Sequence, residues 1–98
     1  MNINITKTND SAVLALEGRL DTTTAPELEK AINEEGEALR NLVLDFCSVN
    51  YISSAGLRVL LSAQKKMNKQ GSMELINVSE EVMDIFEMTG FADILTIV

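Results

Sequence analysis

The chain contains no histidine and no tryptophan, a single cysteine (Cys47) and a single proline (Pro26). Its 8 bases are outnumbered by 15 acids, for a net charge of −7. Each shortage excludes something. Without histidine there is no Ser-His-Asp or Cys-His catalysis. Zinc sites built on imidazole are excluded too, and one cysteine cannot build a thiolate site. One cysteine also cannot close an intramolecular disulfide, so nothing requires an oxidising compartment. A strongly acidic chain is a poor fit to nucleic acid, whose binding rests on Lys and Arg contacts to phosphates. No apolar run approaches the ~18 residues of a membrane span. Met1 to Asp10 has neither the basic nor the apolar stretch of a signal peptide. The expectation is a cytoplasmic protein that is no enzyme, with no cofactor, no metal, no direct nucleic-acid contact and no membrane contact.

What is present is a foldable composition. Apolar residues make up 46% of 98 residues, with no low-complexity tract and no internal repeat. That length predicts one domain over residues 1–98. It buries a little over ~60% of its unfolded surface, enough for one core but not for an enclosed cavity as well.

Hydrophobic patterning predicts the order ββαβαβαβ. Asn2 to Thr6 alternates polar and apolar, and after the turn residues Thr8-Asn9-Asp10 comes the run Ala12 to Leu16, which together read as a hairpin. Thr24-Ala25-Pro26-Glu27 has capping-box form and predicts a helix start. Leu28, Ala31, Ile32 and Leu39 would face inward. Leu42-Val43-Leu44, closed by Asp45, reads as a strand buried on both faces. A second helix follows Phe46 to Ser54, with Leu57, Leu60, Leu61 and Met67 inward and Gly71 as its stop. Met73 to Val78 is a strand. Ser79-Glu80-Glu81 opens a third helix, with Val82, Met83, Ile85, Phe86 and Met88 inward and Gly90 at its end. Ile94 to Val98 is a last strand. Cys47 reads as a small, partly buried side chain. Strands alternating with helices imply parallel pairing and right-handed crossovers. The fold class is therefore a small α/β sandwich with a mixed sheet.

Charge is uneven along this plan. From Ser54 to Gln70 there are four bases and no acid, whereas Thr24 to Ala38 and Glu80 to Asp93 each hold five acids. The basic stretch opens on Ser53-Ser54, at the predicted start of a helix, where backbone N–H groups lack partners and the dipole is positive. Three roles are open to this pair. One serine can cap the helix. A nucleophilic serine is disfavoured, because Ile52 fills the first glycine position of an elbow motif and no histidine can act as base. A phosphate acceptor fits better, since a phosphoserine dianion would meet free N–H groups with Arg58 one turn along. Tyr51 suits either partial burial or an exposed interface.

At these residues the chain resembles a known family. Asp45-Phe46 followed by Val49-Asn50-Tyr51-Ile52-Ser53-Ser54-Ala55-Gly56-Leu57-Arg58-Val59-Leu60-Leu61 looks like the signature of STAS domains, nearest the bacterial anti-sigma factor antagonists. Gly18-Arg19-Leu20-Asp21 with Thr24 resembles a second motif, and Met83 to Phe91 a third. The resemblance implies a STAS-like fold and a partner-switching role. The unphosphorylated protein would bind an anti-sigma factor that is also a serine kinase, freeing a sigma factor. Phosphorylation would break that complex and a phosphatase would restore it. The resemblance points to Ser54 as the acceptor, with Ser53 as the alternative, because many members carry Asp where Ser53 stands. Asp21 and Gly56 would lie beside the acceptor, and Asn50, Tyr51, Ser53, Ser54 and Arg58 would form the partner face. STAS-like domains also serve as regulatory parts of transporters, including lipid-transport ATPases, and of larger signalling assemblies. That gives a non-switching subunit as the alternative.

Overall fold

A computed structural model describes all residues, Met1–Val98. Strand β1 (Asn2–Thr8) and strand β2 (Ser11–Leu20) form the predicted hairpin. Its two-residue turn is possible because Asn9 takes the left-handed conformation (φ 51°), which Asn tolerates better than most side chains. Helix α1 (Ala25–Glu34), strand β3 (Asn41–Ile52), helix α2 (Ser54–Gln70), strand β4 (Ser72–Ile76) and helix α3 (Glu80–Thr89) follow, then a 3-10 turn over Phe91–Asp93. The sheet order is β1-β2-β3-β4. The hairpin is antiparallel and the other two pairings are parallel. This is the mixed-sheet α/β fold expected, with four strands and three helices.

Register decides which side chains form the core. Ala12, Leu42 and Met73 line up across β2, β3 and β4, as do Leu14, Leu44 and Leu75. All six are at most 1% exposed. Residues one step along point to the other face, since side chains alternate along a strand. There Val13 is exposed and Val43, Ala15, Asp45 and Ile76 are half-buried. Thus β3 is not covered on both faces, as its apolar run suggests. All three helices contribute to one cluster of 23 buried apolar residues with the first set of rows. No helix is long and apolar enough to cross a membrane.

Four further expectations are corrected. The last strand reduces to a single parallel bridge, Leu75 to Ile97. The turn after Gly90 consumes Phe91 to Leu95 in local bonds, such as Leu95 N–H to Phe91 O at 2.9 Å. Too little chain then remains to pair along β4. Helix α1 ends at Glu34, so Leu39 is buried from the connection to β3 and not from a helix face. Met88 is 84% exposed, because α3 buries Val82 and Phe86 and turns Met88 outward. Cys47 is exposed as well.

The largest revision concerns β3. It runs to Ile52, absorbing the stretch that the pattern left as a connection. Between the pairs Ala15–Asp45 and Leu20–Ile52, β2 advances five residues while β3 advances seven. Two extra residues therefore sit in β3 at two irregularities of register. Such bulges bend a strand and reset which side chains face inward. They explain why Phe46 is buried and then Val49 and Ile52, breaking the alternation that marks a strand in sequence. Strand β3 ends at Ile52, two residues before α2 begins at Ser54.

Candidate functional site

The site forms where the C-terminal ends of β2 and β3 meet the start of α2. Parallel pairing sets Arg19 beside Tyr51 and Leu20 beside Ile52. The Ser53 N–H donates to Leu20 O at 2.9 Å, so the start of α2 is tied to the end of β2. Open α/β sheets place ligand groups at the C-terminal ends of their strands in this way.

The two serines have different environments. Ser53 is the residue before the helix, with extended backbone (φ −102°, ψ 176°) and no capping bond from its side chain. Its Oγ is buried without a partner. Ser54 is the first residue of α2 and is exposed. Leu57 N–H to Ser53 O (3.0 Å) closes the first turn. The amides ahead of that bond belong to the group a helix leaves without internal partners. The Ser54 hydroxyl thus stands in solvent at the positive end of a 17-residue helix.

Asp21 organises the loop beside it. Its Oδ1 accepts from the backbone N–H groups of Thr23 (3.0 Å) and Thr24 (3.1 Å). Thr24 Oγ1 donates to Arg19 O at 2.6 Å and accepts from Asp21 N–H at 2.9 Å. The expected capping box is therefore replaced: Thr24 makes no cap bond, and the Asp21 carboxylate takes the free amides. A carboxylate reaches amides of the loop that a short hydroxyl, already engaged with Arg19 O, does not. Backbone donation from Thr24, chiefly, and then from Thr23 holds the Asp21 carboxyl below the usual aspartate range, helped by the nearby Arg19 charge and opposed by desolvation.

A group whose folded pKa is lowered contributes stability that is complete above its unfolded value and is lost as pH falls through the folded one. The midpoint of thermal unfolding should therefore fall more steeply below about pH 4 in the wild type than in Asp21→Asn. Parallel acid limbs in the two proteins would refute this role for Asp21.

Arg19 and Tyr51 make a second feature. The guanidinium lies 4.2 Å from the centre of the Tyr51 ring, a cation–π arrangement, and its Nε is 3.7 Å from Asp21 Oδ2. Tyr51 is 37% exposed, so it is at the surface and only partly covered. Asn50 is exposed and is the residue without a register partner at the second bulge. Arg58 is exposed one turn along α2. Hence Asn50, Tyr51, Ser54 and Arg58 are all accessible, whereas the Ser53 oxygen is not. Arg19 is absent from the partner face read off the sequence. Only its place in the Gly18-to-Asp21 motif hinted at it, because stacking on Tyr51 depends on strand register.

Gly56 has a packing reason. A methyl group there would lie 2.8 Å from both Leu20 Cγ and Ile52 Cγ1, and 3.1 Å from Leu20 O. The first turn of α2 rests on the ends of β2 and β3 at this residue. Gly56→Ala should cost about 1–3 kcal/mol through overpacking and lift the Ser54 end of the helix. Chemical denaturation measures the first effect and amide shifts of Ser53 to Leu57 the second. An unchanged denaturation midpoint would contradict the packing account. No group of three or more Cys, Asp or Glu side chains converges to hold a metal ion.

The chain is similar to known proteins along its whole length. The anti-sigma-B factor antagonist of Bacillus subtilis is 36% identical over 103 residues, covering 99% of this chain and 92% of that protein. The anti-sigma factor antagonist SpoIIAA in its unphosphorylated form superposes with a TM-score of 0.83 at 19% identity, over 99% of this chain and 88% of that one. The Bacillus cell fate determinant SpoIIAA in its phosphorylated form superposes with a TM-score of 0.77 at 18% identity, over 99% and 91%. The family model for the STAS domain matches residues 2–98. With that match across the chain and a relative above one-third identity, the protein belongs to the STAS domain family.

Proposed function

We propose that this protein is an anti-sigma factor antagonist switched by phosphorylation of Ser54. Unphosphorylated, it binds an anti-sigma factor that is also a serine kinase, and a sigma factor is released. The kinase transfers the γ-phosphoryl group of ATP to Ser54 Oγ, ADP leaves, and the hydroxyl proton passes to solvent or to a kinase base. A phosphatase hydrolyses the phosphoserine and restores the binding form. Residues 1–98 act as one domain, in the cytoplasm, and the chain is the substrate and ligand of other proteins.

The observation that carries this reading is the contrast between the two serines. The Ser54 hydroxyl is exposed on the first residue of α2, and the Ser53 oxygen is buried. A kinase reaches the first and not the second. Charge supports it as well, because α2 carries no acid in its first turn and its basic end group Arg58 is one turn away. A dianion on Ser54 would therefore be tolerated by the helix. The B. subtilis relative, named an anti-sigma-B factor antagonist, supports the choice of partner. SpoIIAA, with the same fold, exists in phosphorylated and unphosphorylated forms. The test is incubation with the anti-sigma kinase and ATP, followed by mass spectrometric mapping. Phosphate on Ser54 is the expected result; phosphate on Ser53, or none, would overturn it.

A further inference from the structure

Helices α1 and α2 leave a trough between them, and its lining has a regular pattern. On α2 the lining residues Ala55, Val59, Ser62, Lys66 and Lys69 recur at alternating steps of four and three. On α1, Pro26, Glu29 and Asn33 are spaced three and four apart, and Gly36 lines the same side from the turn after the helix. Facing stripes of this spacing form a seam into which another helix packs. Buried Ile32, Val59 and Ala63 lie at its floor, and small residues at Ala55, Ser62 and Gly36 leave room for a close approach. From Ala55 to Lys69 the α2 wall is about 21 Å long at ~1.5 Å per residue, the length of a four-turn helix.

The charges of the trough are sorted and unpaired. The α2 wall carries Arg58, Lys66 and Lys69, and the opposite wall carries Glu29 on α1 and Glu37 in the turn that follows it. The three ion pairs of the chain join Met1 to Glu27, Lys7 to Glu35 and Arg19 to Asp21. None of the five trough charges is used. The complementary occupant is a helix with acids along the edge facing α2 and bases along the edge facing α1. The trough also opens beside Ser54, because Ala55 and Arg58 line its upper end.

We infer that the α1–α2 trough is a docking groove for one such helix of the anti-sigma kinase, separate from the acceptor serine and serving to hold the kinase while Ser54 is presented. The inference rests on the switching role assigned to Ser54. Lys66 and Lys69 are about 18 and 22 Å along the helix from Ser54, too far to touch the transferred phosphoryl group. They therefore separate docking from chemistry.

The experiment measures Ser54 phosphorylation by the purified anti-sigma kinase, together with its binding affinity without ATP, for wild type, Lys66→Glu/Lys69→Glu and Ser62→Tyr. The double variant reverses charge on one wall, and the tyrosine fills the trough without changing charge. Both should raise KM and Kd about tenfold or more while leaving kcat unchanged. The loss in the charge variant should shrink in high salt. Circular dichroism melts serve as the folding control, and Lys66→Arg/Lys69→Arg should behave as wild type. Unchanged KM and Kd in both variants would overturn the groove. If the kinase binds but leaves Ser54 unmodified, the phosphorylation reading fails, and the Kd arm still decides the trough.

Discussion

Ser54→Asp should lower affinity for the anti-sigma kinase by more than about 100-fold without harming the fold. The two effects separate because they draw on different surroundings. Within the chain, a new carboxylate lands on the first residue of α2, where an acid is favoured by the helix dipole by about 0.3–1 kcal/mol. The melting temperature should hold or rise slightly. Across an interface the same carboxylate brings uncompensated charge and desolvation, which cost several kcal/mol, and every ~1.4 kcal/mol is tenfold in affinity. Ser54→Ala should bind as wild type and keep binding when ATP is added, because no acceptor remains. Calorimetric titration of the three proteins with and without ATP reads both effects. Unimpaired binding by the Asp variant would remove Ser54 from the switch.

The second large effect is on stability. Phe46→Ala should cost about 3–5 kcal/mol, the usual loss for a buried aromatic truncated to alanine. Phe46 has no exposed surface and its ring lies 6.3 Å from that of Phe86, tilted by 59°. This contact joins β3 to α3, so the cavity would loosen α3 from the sheet. Domains of this size hold ~5–15 kcal/mol in all, and each kcal/mol is worth roughly 4–8 °C. The variant should melt at least about 12 °C lower. The neighbouring Cys47→Ala is the control. Cys47 is exposed, and its replacement should stay within about 0.5 kcal/mol. Equal effects at the two positions would mean that β3 does not run through them.

That pair also marks how far the sequence could be read. The patterns around Leu14, Leu42 and Met73 are short apolar runs, and the strands they predict are present. Phe46 to Ile52 is different. Its polar residues Cys47, Ser48 and Asn50 break the run, so the segment reads as a connection. The bulges that keep it in the sheet depend on pairing with Glu17 to Leu20. The last strand failed in the opposite sense. Ile94 to Val98 has the composition of a strand, but local bonds after Gly90 take up the chain first. Of the site, Asp21, Gly56, Arg58 and the serine pair were visible as motif residues. The Arg19–Tyr51 stack was not, because two residues distant in the chain meet only through strand register.

Composition by itself removed histidine-dependent catalysis and thiolate metal sites, since the chain has no imidazole and a single thiol. Hydrophobic spacing by itself supplied three helices and most strands, since periods of 3.6 and 2 reflect backbone geometry. Motif order pointed to the family. The motif pointed to Ser54 before Ser53, and only the tertiary structure gave the two hydroxyls different surroundings. The two have identical side chains on adjacent residues. The Ser53 oxygen is buried and its amide is bonded to Leu20 O on β2, whereas Ser54 is exposed on the first residue of α2, and these surroundings come from a strand distant in the chain.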